Sequence, residues 1–389
     1  MTPFDGERPL NILQVLEPSG GGSGRHFVDL CGGLVRRGHR VTAIYSPRRA
    51  EPRFVAELKA LPLYAILPVA MRRAPSPADF RAWRDVRAIA RSHGPFDIIH
   101  GHSSKAGALT RLHLPGTGPR RIYTPHAFRT MDPTLGKFGR VLYGQIEGLF
   151  GRFLSDAVIC VSDDERRHAL DQLGIPEHLL TTVVNGVAPP PLDDRDAVRA
   201  RLGLRQDSFV FGFVGRLSPQ KAPERLVEAF RRVASQNADV ELVMIGFGEL
   251  ESDVKIQIMQ AHLSERVHLG SEISGAVAMQ AFDALVMPSR YEAMSYVMLE
   301  AAAAGLPMVL TDVGGGATVV DNGVNGLVVP NSDDPTELTA AMIAISSPQR
   351  MAAMRQAARH VANRFTVDRM VSATEAVYRR VCGRREVEG

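Results

Sequence analysis

Short apolar segments rich in β-branched residues alternate along the chain with longer segments whose apolar residues recur at helical spacing. This alternation is typical of βαβ units, which build parallel sheets. The first half predicts strands at 12–16, 41–45, 98–100, 122–124 and 158–161, and helices at 25–37, 80–91 and 137–154. The second half predicts strands at 209–214, 242–245, 284–287 and 308–310, and helices at 223–234, 295–304, 334–345 and 366–381. We therefore predict an α/β fold.

A segment rich in proline and aspartate separates the two halves. It begins Ala-Pro-Pro-Pro at residues 188–191 and continues with Asp193, Asp194 and Asp196, a composition typical of a connection between domains. We predict two Rossmann-like lobes, over residues 1–190 and 191–365, and a C-terminal helix over 366–389 that packs back toward the first lobe. Because ligands of open α/β sheets bind beyond the carboxyl ends of the strands, we expect the chemistry in a cleft between the lobes.

Composition and charge narrow the class of protein. The 389 residues are 45% hydrophobic and 23% charged, as in soluble globular proteins. Three scattered cysteines, no signal peptide and no apolar run long enough to span a bilayer lead us to expect a cytosolic protein. Residues 1–190 hold 25 basic and 17 acidic residues, net +8, whereas the rest of the chain is net −4. The excess fits a polyanionic substrate, nucleic acid, an anionic membrane surface or a solvated arginine-rich surface.

A glycine-rich loop, Gly20-Gly-Gly-Ser-Gly24, follows the first predicted strand and precedes a helix. Glycine backbone at a helix N-terminus can approach and bind a phosphate. The spacing differs from the dinucleotide pattern GxGxxG, because Arg25 and Phe27 stand where the last glycine is required, and the chain has no GxxxxGK[ST] loop. The segment is a phosphate-binding candidate or a flexible turn.

Two further motifs follow predicted strands of the second half. Arg216 and Lys221 lie in a loop where two cations can neutralise a pyrophosphate. Glu292 lies before a helix predicted to begin near Ser295, and Glu300 lies inside it. Carboxylates bind vicinal sugar hydroxyls through charge-assisted hydrogen bonds. Since Glu300 stands in an apolar run, where an unpartnered charge is costly, we favour a binding role over a solvated surface pair.

Together with the histidine of Tyr123-Thr-Pro-His126, which follows another predicted strand, these segments resemble the family-4 retaining glycosyltransferases of the GT-B fold. The resemblance extends over roughly residues 10–330. It implies a nucleotide-sugar donor held mainly by the second lobe and an acceptor held mainly by the first. It also implies that no metal or other cofactor is needed.

The resemblance also implies individual roles. Residues expected to bind the donor diphosphate come from both lobes: Gly21, Gly22, Arg216, Lys221 and the helix N-terminus at Ser295. Glu292 is expected to hold the hydroxyls of the transferred sugar, and Glu300 those of the ribose. His126 is expected near the reacting carbon, with a structural histidine as the alternative. Ala222 and Ala293 stand where the family has glycine, so donor geometry and sugar preference do not carry over.

Other polar motifs have weaker interpretations. His100-Gly-His102-Ser-Ser-Lys105 predicts a helix capped by Ser103 or Ser104, with His102 and Lys105 as acceptor-binding candidates. Two histidines without a third ligand argue against zinc. Asp194-Arg-Asp196 matches the DxD of metal-dependent glycosyltransferases, but it lies in the predicted linker, so we assign it no metal.

A segment near residue 145 combines apolar and basic residues. Arg129, Lys137, Arg140 and Arg152 bracket an apolar stretch that contains Phe138, Leu142, Ile146, Leu149 and Phe150. We prefer the interpretation of a crossover helix whose apolar side faces the core. An amphipathic helix that docks on anionic lipid is the alternative.

The resemblance implies a metal-independent, retaining hexosyltransferase, with UDP favoured over GDP in the donor because such enzymes often use it, and we expect it to be cytosolic. The acceptor is expected to be a hydroxyl of a glycan or lipid-linked molecule in surface polysaccharide synthesis, with peripheral contact to the inner face of the membrane and no nucleic acid partner. Same-face attack and double displacement both remain open. A nucleotide-sugar epimerase and a non-catalytic sugar-binding protein are the alternatives.

Overall fold

The computed structural model describes residues 8–72, 74–112 and 118–388, with side chains described as far as residue 383. The chain forms two compact units. Unit 1 comprises residues up to 186 together with the C-terminal segment from 367, and unit 2 comprises residues 187–366. The predicted lobes met at 190/191, and the parts of those predictions that fall on residues 1–7, 73, 113–117 and 389 lie outside the described residues.

Unit 1 contains a parallel sheet with the strand order β3-β2-β1-β4-β5-β6-β7. Its strands are β1 (Asn11–Leu16), β2 (Arg40–Tyr45), β3 (Ala65–Pro68), β4 (Ile98–His102), β5 (Arg120–Thr124), β6 (Ala157–Cys160) and β7 (Leu180–Thr182). The central strands are buried on both faces, which explains the largely apolar sequences of β1 and β6. The strand order reverses between β1 and β4, so the carboxyl ends of these strands form a switch point.

The helices of unit 1 lie between these strands and at the C-terminus. They are α1 (Gly21–Arg36), α2 (Pro52–Lys59), α3 (Ala78–His93), α4 (Ser103–Arg111), α5 (Lys137–Phe153), α6 (Asp163–Asp171) and the C-terminal helix, α15 in chain order (Val367–Glu388). Helix α15 packs against α1 at Gly33, where a Cβ would lie 2.3 Å from Val371. Arg37, just after α1, forms ion pairs with Asp368 and Glu375 of α15.

Unit 2 contains a second parallel sheet, ordered β10-β9-β8-β11-β12-β13. Its strands are β8 (Phe209–Val214), β9 (Val240–Ile245), β10 (Val267–Gly270), β11 (Ala284–Met287), β12 (Met308–Thr311) and β13 (Gly326–Val329). Its helices are α7 (Arg195–Arg201), α8 (Pro223–Gln236), α9 (Glu251–Gln260), α10 (Gly275–Ala278), α11 (Tyr296–Ala303), α12 (Gly316–Val319), α13 (Thr336–Ile345) and α14 (Pro348–Val361). This sheet reverses order between β8 and β11. The prediction of an α/β fold with two Rossmann-like parts is confirmed.

Two local predictions change. Helix α4 has His102 as its N-cap, with no capping side chain, so the assignment of Ser103 or Ser104 as the cap is wrong. Ser103 instead is the first helical residue, with φ of 67°. In the predicted linker, the side chain of Asp194 accepts a hydrogen bond from the backbone N–H of Ala197 and thereby caps α7. Among the described residues, no helix combines the length and apolar character that crossing a bilayer requires.

Candidate functional site

The candidate residues of each unit follow neighbouring strands at the carboxyl edge of its sheet. In unit 1, the glycine loop follows β1, while His102 ends β4 and His126 follows β5. In unit 2, Arg216 and Lys221 follow β8, and Glu292 follows β11. Because neighbouring parallel strands end at the same edge, each unit brings together loops that are far apart in sequence.

Lys221 and Glu292 form an ion pair in unit 2. The Lys221 Nζ donates to Glu292 Oε1 at 2.5 Å, and the two side chains are only 13% and 7% exposed. Their loops are also joined through the backbone, since the Arg290 N–H donates to the Gln220 carbonyl at 2.8 Å. The structure therefore holds the predicted diphosphate cation beside the predicted sugar-binding carboxylate.

Two glycines let the neighbouring loops pack closely against the loops that carry Lys221 and Glu292. A Cβ on Gly246, which follows β9, would lie 1.9 Å from the carbonyl oxygen of Gly215. A Cβ on Gly314, which follows β12, would lie 2.4 Å from the carbonyl oxygen of Glu292. Neither position tolerates a side chain without movement of the neighbouring backbone. The sequence analysis did not identify these residues, because the close approach exists only after the strands have paired.

The two alanines that depart from the family pattern are both buried. Ala222 has φ of 48° and ψ of 51° at the N-cap of α8, a left-handed conformation that favours glycine. Pro223 follows at the first position of the helix. The backbone at Ala222 thus keeps the geometry that glycine would adopt, at a cost of about 1–2 kcal/mol.

The other predicted donor residues of unit 2 lie on the same two segments as Lys221 and Glu292. Arg216 is exposed in the loop that contains Lys221. Ser295 is the buried N-cap of α11, and its side chain makes no capping hydrogen bond. Glu300 lies on the second turn of α11 and is half-buried. Contact of these residues with a donor stays a prediction.

Unit 1 contains a cluster of four histidine rings at its switch point. His100 and His102 lie on β4, His126 follows β5, and His26 lies on α1. The rings of His102 and His126 stack with centroids 5.4 Å apart, and His26 lies 4.6 Å from His126. His26 was missed by the sequence analysis because one histidine on an amphipathic helix gives no distinguishing signal.

Hydrogen bonds to Gln14 define which ring nitrogens carry hydrogen. The Gln14 amide nitrogen donates to the Tyr378 hydroxyl at 2.9 Å, and its oxygen faces His102 Nε2 at 2.8 Å, so this nitrogen is the donor. Burial lowers the pKa of His102 and of His126 well below 6.5, and each neutral ring carries one hydrogen. His102 Nδ1 therefore accepts from His126 Nε2 at 3.1 Å, which leaves Nδ1 of His126 as an acceptor.

Three of these rings have the geometry to hold a metal ion. Ligand atoms of His26, His102 and His126 lie within 4.8 Å of one another, and His26 Nε2 is buried without a hydrogen-bond partner. His100 is not part of this group, which combines His102 with His26 of α1 and His126 after β5. The expectation that no metal is needed stays a prediction. In the metal-free network, His26 Nδ1 instead bonds the side-chain oxygen of Asn185 at 2.9 Å.

Glu165 holds the loop that carries His126. His126 and Ala127 have φ of 53° and 83°, and both are left-handed. The buried carboxylate of Glu165 accepts the backbone N–H groups of Ala127 and Val161, both at 2.7 Å. Burial raises the pKa of Glu165 to about 7. The sequence Ser162-Asp-Asp-Glu165 resembles a capping box, but its glutamate reaches the catalytic-candidate loop instead of the cap residue.

A carboxylate occupies the helix N-terminus at the glycine loop. Gly20 is the N-cap of α1, Gly21 has φ of 59°, and exposed Gly22 follows in the first turn. The Gly21 N–H donates to Glu51 Oε1 at 3.1 Å. Glu51 thus lies where the sequence predicts a phosphate, and no motif identified it.

The predicted acceptor residues already have partners. Lys105 Nζ donates to Asp79 Oδ2 at 2.5 Å, and its side chain is 10% exposed. His102 is buried, and both of its ring nitrogens are hydrogen-bonded. Direct contact with an acceptor would require these bonds to be replaced, so the acceptor role stays a prediction.

Two family models match the chain. The model described as "Glycosyltransferase Family 4" matches residues 20–189, and the model described as "Glycosyl transferases group 1" matches residues 194–361. Each match falls almost entirely within one structural unit.

Named relatives and solved structures point the same way. The chain is 28% identical to an Escherichia coli UDP-Gal:alpha-D-GlcNAc-diphosphoundecaprenol alpha-1,3-galactosyltransferase, over 73% of this chain and 75% of the relative. It is 30% identical to a D-inositol 3-phosphate glycosyltransferase of Jonesia denitrificans, over 75% of this chain and 73% of the relative. Anabaena HepE, solved with UDP and glucose, has a TM-score of 0.78 at 19% identity, covering 94% of this chain and 98% of HepE. These matches give the epimerase alternative no support.

Proposed function

This chain belongs to the family 4 and group 1 glycosyltransferases, nucleotide-sugar enzymes of the GT-B fold, and we propose that it moves a hexose from a UDP-sugar to an acceptor hydroxyl. The proposed transfer retains the anomeric configuration and needs no metal. The observation that carries the proposal is the Lys221–Glu292 pair at the carboxyl edge of the second sheet. A cation that suits a phosphate and a carboxylate that suits sugar hydroxyls lie side by side in this pair.

The leaving diphosphate sets the main physical demand. As the bond to the sugar breaks, negative charge grows on the diphosphate, and donors fixed in advance stabilise it. Lys221 is held in place by Glu292, while Arg216 lies exposed in the same loop. The N-terminus of α11 at Ser295 adds backbone N–H groups. In this proposal these groups replace the divalent cation that other glycosyltransferases use.

The carboxylates and His126 serve the sugars. Glu292 accepts hydrogen bonds from hydroxyls of the transferred hexose, and Glu300 accepts them from hydroxyls of the ribose. His126 is neutral, and its Nδ1 accepts a hydroxyl hydrogen while adding no positive charge beside the carbon that becomes cationic. Retention proceeds by same-face attack or by double displacement.

The names of the relatives support UDP and a phosphorylated acceptor. The Escherichia coli relative is named for UDP-Gal and a diphosphoundecaprenol-linked sugar, and the Jonesia relative for inositol 3-phosphate. An anionic acceptor suits the basic first part of this chain, because residues 1–190 include 25 basic and 17 acidic residues. We therefore propose a lipid-linked acceptor at a membrane surface in polysaccharide assembly.

A donor screen tests the proposal. UDP-, GDP- and ADP-sugars are compared by thermal shift, where ligand at about 100 times its Kd adds about 2.7 kcal/mol of stability. Lys221→Ala should remove the shift by the preferred donor and lower transfer about 100-fold, because one preorganised donor is worth that much. The matched control is Lys255→Ala, which removes an exposed ion pair with Glu251 of the same unit.

Several results would contradict the proposal. These are an unchanged donor shift in Lys221→Ala, isomerised donor formed without acceptor, or transfer lost in EDTA and restored by Mn²⁺. If Lys221→Ala unfolds, Lys221→Met removes the same charge but keeps a side chain of similar length. The anomeric proton coupling of the product establishes retention or inversion.

A further inference from the structure

Helix α5 exposes apolar side chains along one face. Phe138 is 83% exposed, Val141 64%, Leu149 53% and Phe153 60%, and Leu142 and Ile146 complete the row. Their spacing of three or four residues places them on a single side of the helix. The preferred interpretation of a core-facing apolar side is therefore wrong for α5. We call these six residues the α5 face.

The opposite side of α5 is built from glycine, which fixes the orientation of the helix. A Cβ on Gly148 would lie 2.4 Å from the carbonyl oxygen of Leu173, and one on Gly151 would lie 2.5 Å from Ile175. Glu147, also on the inner side, bonds Arg111 at 2.8 Å and the Tyr123 hydroxyl at 3.0 Å. The helix cannot turn its large apolar residues inward without losing these contacts.

The charges beside the α5 face are positive. In α5, all of whose residues the structure describes, Lys137, Arg140 and Arg152 are exposed, and the only acidic residue is buried Glu147. Arg140 donates to the carbonyls of Thr130 and Asp132, and Arg152 donates to that of Gly174. These acceptors are neutral, so the hydrogen bonds do not neutralise the two charges. A groove of about 340 Å³ beside α5 is lined by both arginines.

We propose that the α5 face docks on an anionic lipid bilayer, with Arg140 and Arg152 contacting lipid phosphates at the groove. Apolar residues flanked by cations are the pattern of helices that lie in the membrane interface. An exposed apolar row of this size marks an interaction surface. The choice of a membrane as the partner rests in part on the proposed function, in which the acceptor is lipid-linked.

Vesicle co-flotation tests the docking surface with the full chain. The protein should float with vesicles of phosphatidylglycerol and phosphatidylcholine, less in high salt, and weakly with phosphatidylcholine alone. The variant Phe138→Ser with Leu149→Ser should lose about tenfold or more in vesicle affinity, because two large apolar side chains no longer enter the interface. The matched control is Ile256→Ser with Met259→Ser, which changes two exposed apolar residues of α9 in unit 2.

A charge variant and a donor assay complete the design. Lys137→Gln with Arg152→Gln should weaken binding to the anionic vesicles and reduce its dependence on salt, whereas Arg231→Gln with Lys255→Gln should not. Thermal shift by the preferred UDP-sugar should be unchanged in the α5 variants. If no UDP-sugar shifts the melting temperature of the wild type, the proposed function is contradicted, but the vesicle-binding result is unaffected.

Two outcomes would overturn the inference. One is equal vesicle binding by the wild type and the Phe138→Ser, Leu149→Ser variant. The other is a wild type that does not bind vesicles and that analytical ultracentrifugation shows to be a dimer, whereas the variant is a monomer. That result would assign the α5 face to a second copy of the chain.

Discussion

The tautomer of His126 depends on Gln14 and Tyr378, two residues with which it forms no hydrogen bond, through its neighbour His102. The side-chain oxygen of Gln14 on β1 keeps the His102 hydrogen on Nε2. His102 Nδ1 is then an acceptor and keeps the His126 hydrogen on Nε2. Tyr378 on α15 holds the Gln14 amide. This chain of contacts joins the first strand to the last helix, and burial keeps the rings neutral by lowering the pKa of His102 and His126.

Replacing Gln14 with Met should change the tautomer of His126. Without the amide oxygen, His102 can carry its hydrogen on Nδ1 and donate to His126 Nε2, which moves the His126 hydrogen to Nδ1. We expect kcat to fall with little change in donor KM, because in the proposed mechanism the His126 atom that accepts a hydrogen bond from the reacting sugar would become a donor. Long-range ¹H–¹⁵N spectra report the tautomer directly, and an unchanged Nε2–H signal would disprove the relay.

Glu51 should compete with the donor diphosphate. Its carboxylate accepts the Gly21 N–H at the start of α1, where the helix dipole favours an anion. Glu51→Gln should lower donor KM about two- to fivefold, because a charge at a helix end is worth about 0.3–1 kcal/mol. Glu57→Gln is the control, since Glu57 lines the same groove but pairs with Arg53. An unchanged KM in Glu51→Gln would count against diphosphate binding at Gly21.

At the scale of elements, the missed strands share one property. The sequence analysis predicted β1, β2, β4, β5, β6, β8, β9, β11 and β12, and it missed β3, β7, β10 and β13. The missed strands are the edges of the two sheets. An edge strand pairs on one side only and tolerates polar residues, as in β7 (Leu-Thr-Thr) and β10 (Val-His-Leu-Gly). Strands β3 and β13 are apolar, but β3 ends at Pro68 and β13 begins at Gly326, residue types that indicate turns in a sequence.

The loop that follows β12 contacts the backbone of Glu292, which follows the neighbouring strand β11. The loop after β12 contains Gly314, and a Cβ there would lie 2.4 Å from the Glu292 carbonyl oxygen. Gly314→Ala should displace Glu292 and lower kcat/KM about tenfold or more, while overpacking costs about 1–3 kcal/mol of stability. Gly270→Ala is the matched control in unit 2, because a Cβ there makes only an ordinary contact at 3.9 Å. Equal activity of the two variants would show that the loop contact is not used.

At the scale of the molecule, the two units differ in their response to acid. Unit 1 buries His26, whose pKa burial lowers to about 4, together with other histidines of lowered pKa. The unfolded chain takes up protons near pH 6.5 that the folded unit excludes, so this stability is lost as pH falls through 6.5 toward 4. For His26 alone the loss reaches about 3 kcal/mol.

The raised pKa of Glu165 stabilises unit 1 as pH falls, but this effect is smaller than the combined destabilisation from the buried histidines. Its pKa is raised to about 7, so its contribution is present at low pH and is lost as pH rises from about 4.5 to 7. In unit 2, neighbouring arginines lower the pKa of Glu228 to about 2 and also lower that of Asp333, so those contributions persist to lower pH.

We therefore expect unit 1 to lose stability before unit 2 as pH falls from 7 to 5. Amide hydrogen exchange at both pH values, corrected for the intrinsic exchange rate, should show lost protection in β1, β4 and β5 but not in β8 and β11. Glu165→Gln should steepen the loss in unit 1, because the opposing contribution is removed. Earlier loss in unit 2 would contradict this assignment.

The sequence alone determined the two Rossmann-like parts and the central strands, and it located the candidate donor residues Lys221, Glu292 and Glu300, because each depends on local periodicity or on residue types at fixed spacing. Only the tertiary structure revealed His26, Glu51, Glu165 and Gly314, because each acts through a partner that strand pairing and loop packing bring near it. The orientation of α5 belongs to the same class. Its periodicity marks an apolar side, but the glycine contacts with Leu173 and Ile175 decide that this side faces outward.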